Sequence, residues 1–236
     1  MSSRVLFLCA AIGLLTADLP NARFASAGQK PKEWAANIQP SEFVGAVTNP
    51  YFPLPSGRTL RYRGETKNGV ETLQIEVTYG TKLILGVTTT VVVETHALDG
   101  QVEEISENWF AQDRDGNVWY FGEFSQTYEN GSPINSAGSW EAGVGDAQPG
   151  IMMQAQPRVG DTYFQEFAPG VAQDMAQVLS TMRSVTVPHG SFSQVLLTKE
   201  WTALESNSVE HKSYAPGIGL ILEEKGSERV QLVEVH

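Results

Sequence analysis

Apolar and polar residues alternate along most of this chain, and short polar dipeptides interrupt the alternation. Asn68-Gly69, Asp99-Gly100, Asp115-Gly116 and Asn130-Gly131 each stand between strand-like runs. A type I′ turn needs positive φ at both central positions, which Asn, Asp and Gly tolerate, and it matches the twist of paired antiparallel strands. Their succession predicts a meander. Centring the first turn on Asn68-Gly69 sets Tyr62 opposite Ile75, Leu60 opposite Val77 and Arg61 opposite Glu76, a hairpin with one apolar and one wet face. Further strands are predicted at 82–97, 101–112, 117–124, 161–167, 192–203, 209–214, 219–224 and 229–235. The span 171–182 differs: Val171, Met175, Val178, Leu179 and Met182 recur at helical spacing and predict a helix packed across the sheet. The expected fold is mainly β, a curved antiparallel meander sheet or open β-barrel with one packed helix.

The N-terminus reads as an address. Arg4 precedes an apolar run over 5–15, and Ala25-Ser26-Ala27 has the small-x-small form of a signal-peptidase site. Residues 1–27 are therefore expected to be a signal peptide, 28–42 an N-terminal tether, and 43–236 a single antiparallel β domain. This implies an exported protein, periplasmic or extracellular. The apolar run falls short of the roughly 20 residues that span a bilayer, so no membrane span is expected. The one cysteine, Cys9, lies in the leader, so the domain is expected to rely on its core without disulfides.

Charge narrows the partners. The chain has 16 basic against 27 acidic side chains, a formal net charge of -11, and no basic cluster, which excludes a nucleic-acid surface. No Gly-rich phosphate loop, nucleophile elbow or His-x-x-x-His pair is present, so no catalytic residue, metal or cofactor is assigned. Asp113 to Asn117 lacks the third oxygen ligand and the twelfth-position glutamate of a calcium loop and reads as a hairpin turn. The acidity is local: between 83 and 157, Arg114 is the one basic residue, and Trp109, Trp119 and Trp140 lie in the same block. Acidic and aromatic groups together suit sugars, cationic ligands or a hard metal ion.

Centring turns on Asp99-Gly100 and Asp115-Gly116 pairs His96 with Glu103 and Trp109 with Gly122. Alternation then puts Glu94, His96, Glu103, Glu107, Trp109 and Tyr120 on one side, and these are the candidate ligand-binding residues. His96, Glu103 and Glu107 could serve as an acid–base or metal group, or simply as a cross-strand pair on an exposed face. Glu210-His211-Lys212 reads as a solvated strand segment.

Three stretches carry a resemblance: Asn49-Pro-Tyr-Phe-Pro-Leu54 with Gly57 and Tyr62, Val185-Thr-Val-Pro-His-Gly-Ser-Phe192, and Tyr214-Ala-Pro-Gly-Ile-Gly-Leu220. Together they resemble a pattern in exported bacterial proteins of unassigned function, whose architecture is similar to the half-barrel carriers of lipids and lipoproteins. The resemblance implies a curved sheet or open barrel in an exported setting and transfers no catalytic residue. The expected function is a noncatalytic binding or carrier protein with a small apolar ligand in the concavity of the sheet. The alternative is a carbohydrate-binding or glycan-hydrolysing protein that uses the acidic and aromatic face.

Overall fold

The computed structural model describes residues 34–205 and 208–236. The leader expected at 1–27 lies outside the described residues. A single turn of 3-10 helix, Pro40–Glu42, leads into β1 (Phe43–Val44). The meander follows as β2 (Thr59–Thr66), β3 (Gly69–Ile84), β4 (Val87–Leu98), β5 (Gln101–Asp113) and β6 (Val118–Glu129). Short pieces come next: β7 (Ser132–Asn135), β8 (Trp140–Glu141), β9 (Gln148–Met153), β10 (Thr162–Phe164) and β11 (Glu166–Phe167). A second meander is built from β12 (Asp174–Val187), β13 (Gly190–Thr202), β14 (Val209–Ala215), β15 (Gly219–Lys225) and β16 (Glu228–Val235).

All pairings are antiparallel, and the two meanders join where β16 returns to β2, with Leu232 opposite Tyr62 and Val230 opposite Gly64. The far edges are bridged by one stretch of chain. Its first half, β10, pairs with β12, and its second half, β11, pairs with β9, so the sheet curls into a nearly closed barrel. Closure removes the exposed edges that would otherwise recruit another strand. At that seam Gly150 comes so near the Gln165 carbonyl that an added Cβ would collide with its oxygen. Gly150→Ala is therefore expected to destabilise the barrel by about 1–3 kcal/mol in denaturant titration. Gly45→Ala, at a position with open space around it, serves as the neutral control.

Two expectations need correction. The span predicted as a helix is a strand: β12 pairs along its length with β13, and of the apolar stripe only Val178 is fully buried while Met182 is 72% exposed. Two register shifts, between Val178 and Arg183, insert residues into the strand, and an alternation interrupted this way mimics spacings of three and four. The strand predicted over 82–97 is likewise broken by a turn at Leu85-Gly86, both at positive φ, a conformation that a leucine does not advertise. Elsewhere two of the four turn dipeptides show the type I′ signature, whereas at Asn68-Gly69 and Asp115-Gly116 only the glycine has positive φ. Asp99-Gly100 and Asn130-Gly131 both have positive φ at both positions. The first hairpin turns one step earlier, so Tyr62 faces Leu73 and Leu60 faces Ile75; a shift of two keeps every side chain on its face.

The segment before β2 closes one end of the barrel. Trp34, in the stretch expected to be a tether, donates to the Pro149 carbonyl at 2.9 Å and packs against Trp119 and Phe164. Asn49 is buried and donates to the carbonyls of Gly116 and Gln154, while its own amide and that of Thr48 are held by Gln112. Beneath it lies an apolar layer in which Phe110 stacks on Tyr120 at 4.7 Å and meets Phe52 edge-on at 5.1 Å.

Candidate binding site in the barrel interior

The sequence-predicted constellation is divided by one bulge. At the Asp99-Gly100 end Ala97 faces Val102, but the next partner of His96 is Glu104, which leaves Glu103 as the inserted residue. Beyond it the phase of β5 is reversed relative to β4. Glu94 faces Ser106, and Val92 faces Asn108. Glu94, Tyr120 and His96 accordingly belong to the buried interior, whereas Glu107 is exposed opposite Val93 and Phe124. Trp109 is roofed by Lys82, whose ammonium lies 3.2 Å from the ring centre and 2.7 Å from Glu141. Tyr120 donates from its hydroxyl to Asn108 Oδ1. Among the described residues, no three His, Cys, Asp or Glu side chains converge to hold a metal ion.

What sequence reasoning missed is the other wall. Lys212, expected on a solvated strand, is 3% exposed. β14 lies between β13 and β15, and its register sets Lys212 opposite Thr198 and Glu223 and sets Glu210 opposite Glu200. The ammonium lies 2.9 Å from Glu200, 3.6 Å from Glu210 and 4.0 Å from Glu223. Glu200 also accepts from Thr198 at 2.7 Å and from the Tyr214 hydroxyl at 3.0 Å. Lys225 closes the rim on Glu210 at 3.0 Å. One cue was available: Glu210-His211-Lys212-Ser213 has no apolar face, an unusual pattern for a strand with neighbours on both sides.

Six glutamates are buried here, Glu94, Glu123, Glu166, Glu200, Glu210 and Glu223, against Lys212 as the one buried lysine or arginine among the described residues. The imbalance shows in their protonation. Burial pushes Glu94 up to about 7, which Glu104 adds to and Lys212 opposes. Glu223 is raised well above the usual carboxylate range by burial and then by Glu210. Glu166 is raised in the same way by burial and by Asp174 and Glu123, although Trp140 donates to it at 3.2 Å. Burial alone would lower Lys212, but Glu200, Glu223 and Glu210 together reverse this and hold it well above the usual lysine value. His96 is lowered to about 4 by burial and by Lys212, so it is neutral at physiological pH.

Where this acidic half meets the apolar end there is a cavity of about 30 Å³. Phe52, Pro53 and Leu54 line it from one side, and Tyr214, Ile218, Gly219 and Leu220 from another. These belong to the two motifs singled out in the sequence, and the motifs hold each other: Gly217 donates its amide to the Pro50 carbonyl at 2.7 Å. Tyr62 donates to the Leu220 carbonyl at 2.8 Å, and Glu94 is the one carboxylate in the lining.

No protein-family model and no curated protein matches this chain. A solved structure of a “putative lipoprotein” from Parabacteroides distasonis is similar over 79% of this chain and 98% of its own, with a TM-score of 0.41 and 10% identity. That degree of likeness leaves ligand and chemistry to be argued from the interior of this chain.

Proposed function

We propose that the protein is an exported, noncatalytic binding or carrier protein that holds a small ligand inside its barrel. The observation that supports this reading is Glu94, 3% exposed and set in the wall of an otherwise apolar and aromatic cavity. A buried carboxylate there costs stability, and packing alone would be served as well or better by an apolar side chain. Small-molecule sites have this composition, mostly apolar with a few placed polar groups. The glycan alternative has less support, because Glu107 and Trp109 do not share an open face with Glu94. Export rests on the leader pattern within 1–27. No helix among the described residues is long and apolar enough to cross a membrane.

The test is a thermal-shift series with decanoate as an apolar probe, cellohexaose as a glycan and methylammonium as a cation, beside native mass spectrometry of protein purified from its own host. A ligand present at 100 times its Kd is expected to stabilise the fold by about 2.7 kcal/mol, a rise of several degrees. If no probe shifts the melting temperature and the purified protein carries no bound small molecule, the binding reading fails.

A further inference from the structure

We propose that the cavity is a receptor for a small alkylammonium group, held by the Glu94 carboxylate and enclosed by the rings of Tyr62, Tyr214 and Phe52. This rests on the binding-protein reading and names the ligand class for the same interior.

Size is the first argument. A cavity of about 30 Å³ exceeds the 10–15 Å³ that one water needs and admits about two heavy atoms, the carbon and nitrogen of methylammonium. The walls are the second. Leu60, Ile75 and Val92 offer nothing to the hydrogen bonds of a neutral polar guest, whereas aromatic faces attract a cation and apolar walls accept its methyl group. Charge is the third. Lys212 faces Glu94 from β14, but it is already ringed by Glu200, Glu210 and Glu223, so it leaves Glu94 without a close cation of its own. Glu104 on β5 adds negative potential at Glu94, while at Tyr62 the fields of Glu94 and Glu223 are opposed by the Arg58 guanidinium.

A second buried group also has an unmet requirement. Both carboxylate oxygens of Glu223 are buried without a hydrogen-bond donor, and Tyr62 lies in the field of both Glu94 and Glu223. Among the described residues the cations that reach this region are Lys212, ringed by its own carboxylates, and Arg58, whose guanidinium donates to the Gly217 and Ile218 carbonyls, and neither forms an ion pair with Glu94. A metal ion does not answer the requirement, because the carboxylates do not converge on a common point. An ammonium with an alkyl tail satisfies Glu94 and the apolar walls together.

The experiment compares methylammonium chloride with sodium chloride at equal ionic strength and with methanol, a neutral guest of the same size. It uses thermal shift and saturation-transfer NMR on the methyl resonance. Methylammonium is expected to raise the melting temperature and to show saturation transfer at pH 8, with weaker effects at pH 6, where Glu94 is protonated. Glu94→Gln is expected to weaken binding about tenfold or more, because a buried cation loses its counter-charge. Val92→Ile, which adds a methylene to the cavity wall, is expected to abolish the response while preserving the fold. Equal responses to methylammonium and methanol, or an undiminished response in Glu94→Gln, overturn the proposal. Decanoate binding without methylammonium binding overturns the ligand class and leaves the binding-protein reading standing, whereas no binding of any probe removes both.

Discussion

Replacing Lys212 by methionine is expected to lower the melting temperature at pH 7.5 by about 10 °C. Methionine keeps most of the length and apolar bulk of lysine, so the effect isolates the charge. The substitution leaves Glu200, 2.9 Å from the lost ammonium, together with Glu210 and Glu223, buried around no cation of their own except Lys225 at the rim. Breaking a buried ion pair by removing one partner costs about 3–5 kcal/mol, because the remaining charge keeps its desolvation penalty. For a domain of this size each kcal/mol shifts the midpoint by about 2–4 °C. Two further measurements separate charge from packing. Lowering the pH to 5 should return part of the loss, because protonation removes buried negative charge that the lost ammonium no longer balances. Glu223→Gln in the Lys212→Met background should also recover stability, although the glutamine adds a contact of its own. A melting temperature within a degree of the unsubstituted protein, or a loss that persists unchanged at pH 5, would show that Lys212 does not neutralise this cluster.

That cluster was hidden in the sequence for a physical reason. Strand order and turn chemistry are local, and Asp99-Gly100, Asn130-Gly131 and the alternation from Leu60 to Val77 reveal them directly. Registers across a bulge are not local. Glu103 is indistinguishable in sequence from its neighbour Glu104, yet its insertion exchanges the faces of β5 and puts Ser106 and Asn108, rather than Glu107, beside Glu94. The same blindness turned β12 into an apparent helix, because its two inserted residues replace a period of two by longer steps. Lys212 was read as solvated because charged residues are almost never buried unless paired, and its partners lie on β13 and β15, whose pairing with β14 is a tertiary fact. Glu94 was legible as a candidate through the alternation that sets it on one side with His96 and Tyr120. Its companions Tyr62 and Tyr214 were visible only as parts of motifs, since 152 positions of chain separate two side chains that line one cavity.

Acidification from pH 8 to pH 5 is expected to stabilise the protein, raising the melting temperature by about 5 °C or more, contrary to the usual acid lability of folded proteins. The sign follows from which state binds more protons. Glu94 in the barrel takes its proton near 7 and an unfolded glutamate near 4.5, so between those values the folded state is the more protonated one, and stability falls as pH rises through that window. Asp174, raised from 3.8 to about 6 chiefly by burial, acts the same way over a lower window. Glu166 and Glu223, also raised by burial and by neighbouring carboxylates, act in the same direction. His96 opposes it. Its folded value of about 4 lies below the ordinary 6.5, so the unfolded state gains the proton first and stability is lost as pH falls through that interval. Glu71, half-buried and likewise raised to about 7 by burial, joins the other carboxyl groups, and five raised carboxyl groups against one imidazole leave a net gain on acidification. Below about 4.5 the unfolded carboxylates are protonated too, and the gain ends. The melting temperature should therefore peak near pH 5. Glu94→Gln should flatten the profile between pH 5 and 8 and raise the melting temperature at pH 8, because it removes a carboxylate that is ionised there against its surroundings. A peak at pH 7–8 in the unsubstituted protein would mean that the interior carboxyl groups are already compensated, and with them would go the electrostatic argument for a cationic guest.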